Sequence, residues 1–280
     1  MEPARRGGVV RWGAMPNHAA HVNAVILAGG GADDRLASAA GVASKALAPI
    51  DGVPMAAYVL SALRASTVIE HVVYVGPTDE RVRALVDHVV PAGSRMVDSL
   101  ALGAGAALAL GGGESRLLVA TADLPWWHAE GVRRFVADAS DADLVYPVVA
   151  AATALAAFPN QRRTFARLRE GRFTGGNAVL ATPAAVTALL PVIDQAFAAR
   201  KAPWRLAALI GLDVVVGLVT GRASLAQLEA RVSRLLGVRG QVLVSDDAGI
   251  AADVDGPHQL EPSARHGLPL TPLTPLRSDA

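Results

Sequence analysis

Short runs dense in valine, isoleucine and leucine recur along the chain: "VNAVILA" (22–28), "HVVYVG" (71–76), "RLLVATA" (116–122), "DLVYPVV" (143–149), "NAVLAT" (177–182) and "QVLVS" (241–245). Continuous apolar runs of this length fit strands buried on both faces rather than half-exposed ones, which would alternate with polar residues. Between them, 54–65, 79–89, 99–110 and 128–137 carry helix-length patterns. Strand and helix taking turns predicts βαβ units and a mostly parallel sheet, an α/β fold. Beyond about residue 150 the alternation loosens into an arginine-rich stretch, "QRRTFARLREGRF" (161–173), followed by a run of helices over 184–236.

The most apolar late stretch, 206–220, is broken by Asp213 and bounded by Arg205 and Arg222. It is too short to span a bilayer as a helix, so no stable membrane insertion is expected. A buried helix is the plain reading of it, and contact with a membrane surface the other. Residues 1–21 lack the apolar core of a signal peptide and read as a loose tail. Residues 262–280, "PSARHGLPLTPLTPLRSDA", are proline-rich without a core pattern and read as a second flexible tail. One domain over 22–261 remains.

Composition narrows the function. A net charge of +1 over 280 residues gives no electrostatic reason to expect nucleic acid as a partner. The absence of cysteine excludes disulfides, thiolate nucleophiles and cysteine-ligated metals, so any metal must sit on carboxylates or histidines. The expected location is the cytoplasm. Of 26 basic residues only Lys45 and Lys201 are lysine. In a chain that otherwise uses arginine, a lysine supplies a compact point charge that a planar guanidinium does not mimic.

The first strand runs into "LAGGGADDR", Leu27 to Arg35. Ligands of open α/β sheets bind at the carboxyl ends of strands, and glycines there let backbone N–H groups approach phosphate oxygens. A dinucleotide-binding fingerprint does not fit, because its last small residue falls on Asp34 and no acidic residue ends the second strand. A P-loop is excluded because the chain contains no Gly-Lys-Ser/Thr. Asp123 leaves the carboxyl end of the third strand, where a carboxylate suits Mg²⁺ that also takes nucleotide phosphates. A helix cap is the competing reading of Asp123.

Leu27-Ala28-Gly29-Gly30, then Ser44-Lys45-Ala46-Leu47-Ala48-Pro49-Ile50 with Pro54-Met55, resemble the first motif of nucleotidyltransferases with a MobA-like or sugar-nucleotide-type NTP-transferase domain. Arg35 falls one residue later than that motif places its arginine. "ATADLP" around Asp123 resembles the second motif, and "DVDGPHQLE" resembles the closing one, with Asp255 at the matching position but Gly256 and His258-Gln259 in place of the family's threonine and Glu-Asp pair. The resemblance covers 23 to about 261 and implies a single GT-A-like, Rossmann-like domain that transfers an NMP group from an NTP to a small, phosphorylated acceptor. It further implies Lys45 and Arg35 as catalytic cations, Leu27, Ala28, Gly29, Gly30, Gly31 and Ser99 as nucleotide contacts, and Mg²⁺ on Asp123 and Asp255. "FTGGNAVL" resembles the acceptor-facing segment, which implies Gly175, Gly176 and Asn177 on that side. Two other readings stay open: a glycosyltransferase of related fold, and a module that binds nucleotide without turning it over.

Overall fold

The computed structural model describes residues 22–31, 34–111, 113, 115–199, 202–256, 259 and 270–274. The amino-terminal tail, Lys201 and most of 262–280 lie outside them. The order is β1 (Val22–Leu27), α1 (Arg35–Ala40), a 3₁₀ turn (Lys45–Leu47), β2 (Pro49–Ile50), β3 (Val53–Pro54), α2 (Met55–Ser66), β4 (Val72–Val75), α3 (Glu80–Ala84), β5 (His88–Val90), α4 (Met96–Leu110), β6 (Arg116–Thr121), α5 (Ala129–Asp138), β7 (Leu144–Ala150) and α6 (Ala151–Ala157). Then follow β8 (Ala166–Leu168), β9 (Gly171–Gly175), β10 (Ala178–Ala181), α7 (Pro183–Ala199), α8 (Pro203–Ile210), α9 (Leu212–Thr220), α10 (Leu225–Leu236) and β11 (Gly240–Ser245).

One sheet carries the fold, in the order β5-β4-β1-β6-β10-β7-β9-β8, with β11 paired to β7. β5, β4, β1 and β6 run parallel, as do β7 and β11. β10 enters antiparallel between β6 and β7. The sheet is therefore mostly parallel, and helices cover both faces. Successive residues of β1 serve opposite faces: Ala24 and Ile26 join the core under α2 and α5, whereas Val25 joins the core under α4 and α7. Burial on both faces is the reason the strands read as unbroken apolar runs. Gly103 of α4 lets that helix lie close to the sheet, since a Cβ there would stand 2.6 Å from both Val25 and Val75.

Three local expectations change, and one unassigned stretch gains a structure. The stretch 79–89 is not one helix, because α3 stops at Ala84 and β5 begins at His88 to add an edge strand. The arginine-rich stretch forms the β8–β9 hairpin, with Ala166 paired to Phe173. The apolar stretch around α9 is not a buried helix: Val214 is buried, but Leu212 and Val219 are 71% and 83% exposed. Finally, residues 270–274, assigned by composition to a flexible tail, lie on the core. There Thr271 donates its N–H to the Pro125 carbonyl at 2.9 Å and its hydroxyl to that of Trp127 at 3.0 Å. Among the described residues no helix is long and apolar enough to cross a membrane.

Candidate functional site

The glycine loop starts where β1 ends, between β4 and β6. Ala28 donates to the Val75 carbonyl at 2.9 Å, and Ala122 donates to the Leu27 carbonyl at 3.0 Å, so both neighbours hold the strand end. Gly76, at φ 146°, closes on it so tightly that a Cβ would sit 2.7 Å from the Ala28 oxygen. Beyond this clamp the loop is bare. Nothing lies within 4 Å of where a Gly30 Cβ would stand, and Gly29, Gly30 and Gly31 are exposed. Gly29 backs onto Ala92 and the Ser99 hydroxyl. That hydroxyl is buried and accepts from the Gly93 N–H at 3.0 Å, so Ser99 fastens the loop after β5 behind the glycines.

Ser44 links the loop to Lys45. Its buried hydroxyl donates to the Ala28 carbonyl at 2.9 Å and accepts from the Ala46 N–H at 3.2 Å, which caps the 3₁₀ turn and sets the direction of Lys45. The ammonium lies 2.6 Å from Asp123 Oδ2 and 3.5 Å from Asp255 Oδ1. Burial alone would lower the lysine pKa; the charge and hydrogen bond of Asp123, with Asp255 and Asp253 beyond, outweigh it and hold the pKa above the ordinary value. The loop, Asp34, Ser44–Ala46 and Thr121–Asp123 line a cavity of about 240 Å³.

Two predictions arise from these contacts. Ser44→Ala leaves the buried Ala28 carbonyl without its hydroxyl donor and should cost about 1–3 kcal/mol in denaturant unfolding. For Lys45, a raised folded pKa means that its stabilisation is full below the unfolded value of about 10.4 and is lost as pH rises through the folded one. The stability gap between wild type and Lys45→Met should therefore stay level from about pH 7 to 9 and shrink only above roughly 10.4. Thermal melts at stepped pH would register it.

The aspartates come from two elements. Asp123 follows β6, its side chain 13% exposed, and its Oδ1 is buried without a hydrogen-bond partner among the described residues. Asp255 lies on the segment after β11 and a 3₁₀ turn (Ala248–Ala251); that segment is tied to β6 by the Val254 N–H, which donates to the Asp123 carbonyl at 3.2 Å. Val254 is fully buried, while Asp255, at 73% side-chain exposure, reaches back to the lysine. Burial pushes the Asp253 carboxyl up, and the Asp255 and Asp123 charges add to the shift.

Two residues outside any motif brace this segment. Gln161 donates to the Asp253 carbonyl at 2.6 Å, and Arg163 donates to the Ala251 carbonyl while its charge faces Asp253 and Asp255. Within the arginine-rich stretch Arg163 looked like the other arginines, and Gln161 carried no signal at all. Among the described residues no three metal-ligating side chains gather closely enough to hold an ion by themselves. The donor set, two carboxylates with one oxygen unused, suits a hard cation that takes its remaining ligands from phosphate and water.

The other expected residues are placed less directly. Arg35 is exposed at the first position of α1, next to Asp34, whose carboxylate caps that helix through Leu36 and Ala37. Asn177 sits beside the site, its carbonyl accepting from the Thr121 N–H at 3.2 Å. Gly175 and Gly176 have packing reasons for their identity: a Cβ would stand 2.2 Å from the Tyr146 hydroxyl in one case and 2.8 Å from Pro147 in the other.

Compared with known proteins, residues 24–208 match the model of the MobA-like NTP transferase domain. The chain belongs to the MobA-like NTP transferase family. Among solved structures it is similar to one described as a hypothetical transferase from Thermus thermophilus, at 40% identity and a TM-score of 0.77, covering 86% of this chain and 100% of that one. It shares its fold with a 4-diphosphocytidyl-2C-methyl-D-erythritol synthase at 16% identity and TM-score 0.53, covering 86% and 94%. The corresponding synthase of Anaerococcus prevotii, at 8% identity and TM-score 0.51, covers 88% and 97%. Among curated proteins none matches. As a MobA-like NTP transferase domain with this α/β core, the chain is of nucleotidyltransferase type, with an NTP as its substrate class.

Proposed function

We propose that this MobA-like domain catalyses Mg²⁺-dependent transfer of an NMP group to a small phosphorylated acceptor, with release of pyrophosphate. The observation that carries the reading is the unused, buried Oδ1 of Asp123, set beside a lysine that bridges two carboxylates at the mouth of a bare glycine loop. A cation bound by Asp123 and Asp255 would supply charge to the phosphates and screen the two carboxylates from them. With such a cation bound, Lys45 would give up part of its pairing and would be available to meet negative charge on the α-phosphate.

The acceptor oxygen attacks the α-phosphorus, a new P–O bond forms, and the bond to the bridging oxygen of the β-phosphate breaks. Pyrophosphate leaves with the electron pair. No protein nucleophile is needed; the chain contributes position and charge. Backbone N–H groups of Gly29 to Gly31 line the phosphate side, and Asn177 stands on the acceptor side.

Pyrophosphate release with each NTP, across a panel of sugar phosphates, alcohol phosphates and pterins, tests the reaction. Release that needs one NTP, one acceptor and Mg²⁺ together supports it. Hydrolysis of nucleotide sugars instead, with no pyrophosphate from any NTP, would favour the glycosyltransferase reading.

A further inference from the structure

A second cavity, of about 380 Å³, opens beside the acceptor-side segment. It lies between β7, β8, β9 and β11 on the sheet and α9 and α10 above them, and its walls include Tyr146, Leu168, Phe173, Leu218, Leu228 and Val242. Almost all of this lining is apolar. Its two most polar members are already engaged: Glu229 accepts from the Val242 N–H at 2.8 Å, and Gln241 accepts from the Ser140 N–H and hydroxyl. Protein interiors hold few voids larger than a water molecule, and a well-formed apolar cavity with few polar groups is the usual form of a small-molecule site. The phosphate chemistry belongs to the smaller, polar cavity; the larger one is built for hydrocarbon.

Its position ties it to the reaction. Tyr146 and Gly175 line the cavity and touch each other, and two residues after Gly175 the carbonyl of Asn177 is bonded to β6 at Thr121, which lines the phosphate cavity. The two spaces are joined by that short segment.

A separate observation concerns α9. Its Leu218 faces the cavity, while Leu212, Val216 and Val219 are exposed at 71%, 52% and 83%. A helix apolar on both sides is not an ordinary surface helix. Arg167 stands against Gly221 at one end; at the other, Arg231 donates to the Leu209 carbonyl at 2.9 Å beside the Asp213 carboxylate. Exposed apolar side chains on the helix that roofs the cavity suit contact with an amphiphile.

We propose that the cavity between β7–β9, β11 and α9–α10 binds the hydrocarbon portion of the acceptor, which is an amphiphile: a single apolar chain ending in a phosphate. The inference rests on the nucleotidyltransferase reading and names its substrate class. The chain lies under α9, and the phosphate reaches past Gly175 toward Asn177.

Calorimetric titration of the full chain with butyl, hexyl, octyl and decyl phosphate, below their micelle concentrations, tests this, with Mg·NTP titrated into the same preparations. Affinity should rise about fourfold per methylene until the cavity is full. Ala166 lines the cavity from an exposed position, so Ala166→Trp fills it without disturbing the core. That variant should flatten the chain-length series and keep wild-type affinity for Mg·NTP; Ala166→Ser should keep the series. Flotation with phosphatidylcholine vesicles carrying dodecyl phosphate then assigns the source: recruitment marks a bilayer-borne acceptor, and no recruitment a dissolved one. Affinity independent of chain length, or a series that survives Ala166→Trp, overturns the proposal while leaving the nucleotidyltransferase reading intact if Mg·NTP binds. Binding of the chains with no binding of any NTP overturns both.

Discussion

Lys45→Ala lowers kcat by about 100-fold or more, with a smaller change in the affinity for Mg·NTP. The reason lies in when the charge matters. In the resting protein the ammonium is spent on Asp123 and Asp255, at 2.6 and 3.5 Å. As the α-phosphate is transferred, negative charge accumulates where a compact cation is most effective, so the loss falls on the transition state. The same variant leaves Asp123, Asp253 and Asp255 without their shared cation. Divalent metal should therefore raise its melting temperature more than it raises that of wild type, an outcome readable before any acceptor is known. Lys45→Arg does not restore turnover, because a broad, planar guanidinium on the 3₁₀ turn pairs with a carboxylate instead of presenting a point charge. Steady-state kinetics on the three proteins check the ranking.

Asp123→Asn abolishes metal-dependent turnover, by about 100-fold or more, while the protein stays folded. The amide keeps the shape of the side chain and an oxygen that accepts from Lys45, but not the charge that pairs with the ammonium, so the melting temperature should fall modestly while the fold is kept. What disappears is the charge that the orphaned Oδ1 offers to a cation. Asp255→Asn should cost less, because its carboxylate is mostly in water and 3.5 Å from the lysine. Lys45 and Asp123 touch, so the double variant should cost far less than the sum of the two single ones. Pyrophosphate release across a magnesium titration separates these outcomes. Near-normal release from Asp123→Asn would remove the metal assignment.

The parts of this architecture that were legible in the sequence are those fixed by local pattern. All six apolar runs are strands; five are largely buried, as a strand covered on both faces must be apolar, whereas β11 has no fully buried residue and leaves Val244 47% exposed. The direction of β10 was not legible, since "NAVLAT" carries no mark of whether it enters the sheet parallel or antiparallel. β5 was hidden because its three residues follow a five-residue helix with only Leu85-Val86-Asp87 between them, too short and too apolar to read as a boundary. The "TP" repeats of the carboxyl-terminal stretch look featureless, yet Thr271 and Thr274 bond to groups on α2 and the loop after β6. Such docking depends on which carbonyls the fold leaves open.

The candidate site divides in the same way. Gly29, Gly30, Lys45, Asp123 and Asp255 stand in sequence motifs, and the structure gathers them at the ends of β1 and β6. Ser44 was within reach of the motif but gave no sign that its hydroxyl would hold the loop. Gln161 and Arg163 act on the backbone of 251–253 from a distance of about ninety residues, a contact no local pattern encodes. The glycines at 103, 175 and 176 show the opposite limit, since packing against Val25, Tyr146 and Pro147 accounts for them without reference to a ligand.

The central claim is that the bare loop and its lysine hold the triphosphate of a substrate. It is tested most directly by calorimetry of wild type and Asp123→Asn with each NTP, with and without Mg²⁺, and with NAD(H) as the competing ligand. Wild type is expected to bind one or more NTPs only with Mg²⁺, Asp123→Asn to lose this metal dependence, and NAD(H) not to bind. Tight binding of NAD(H) with no response to any NTP would contradict it.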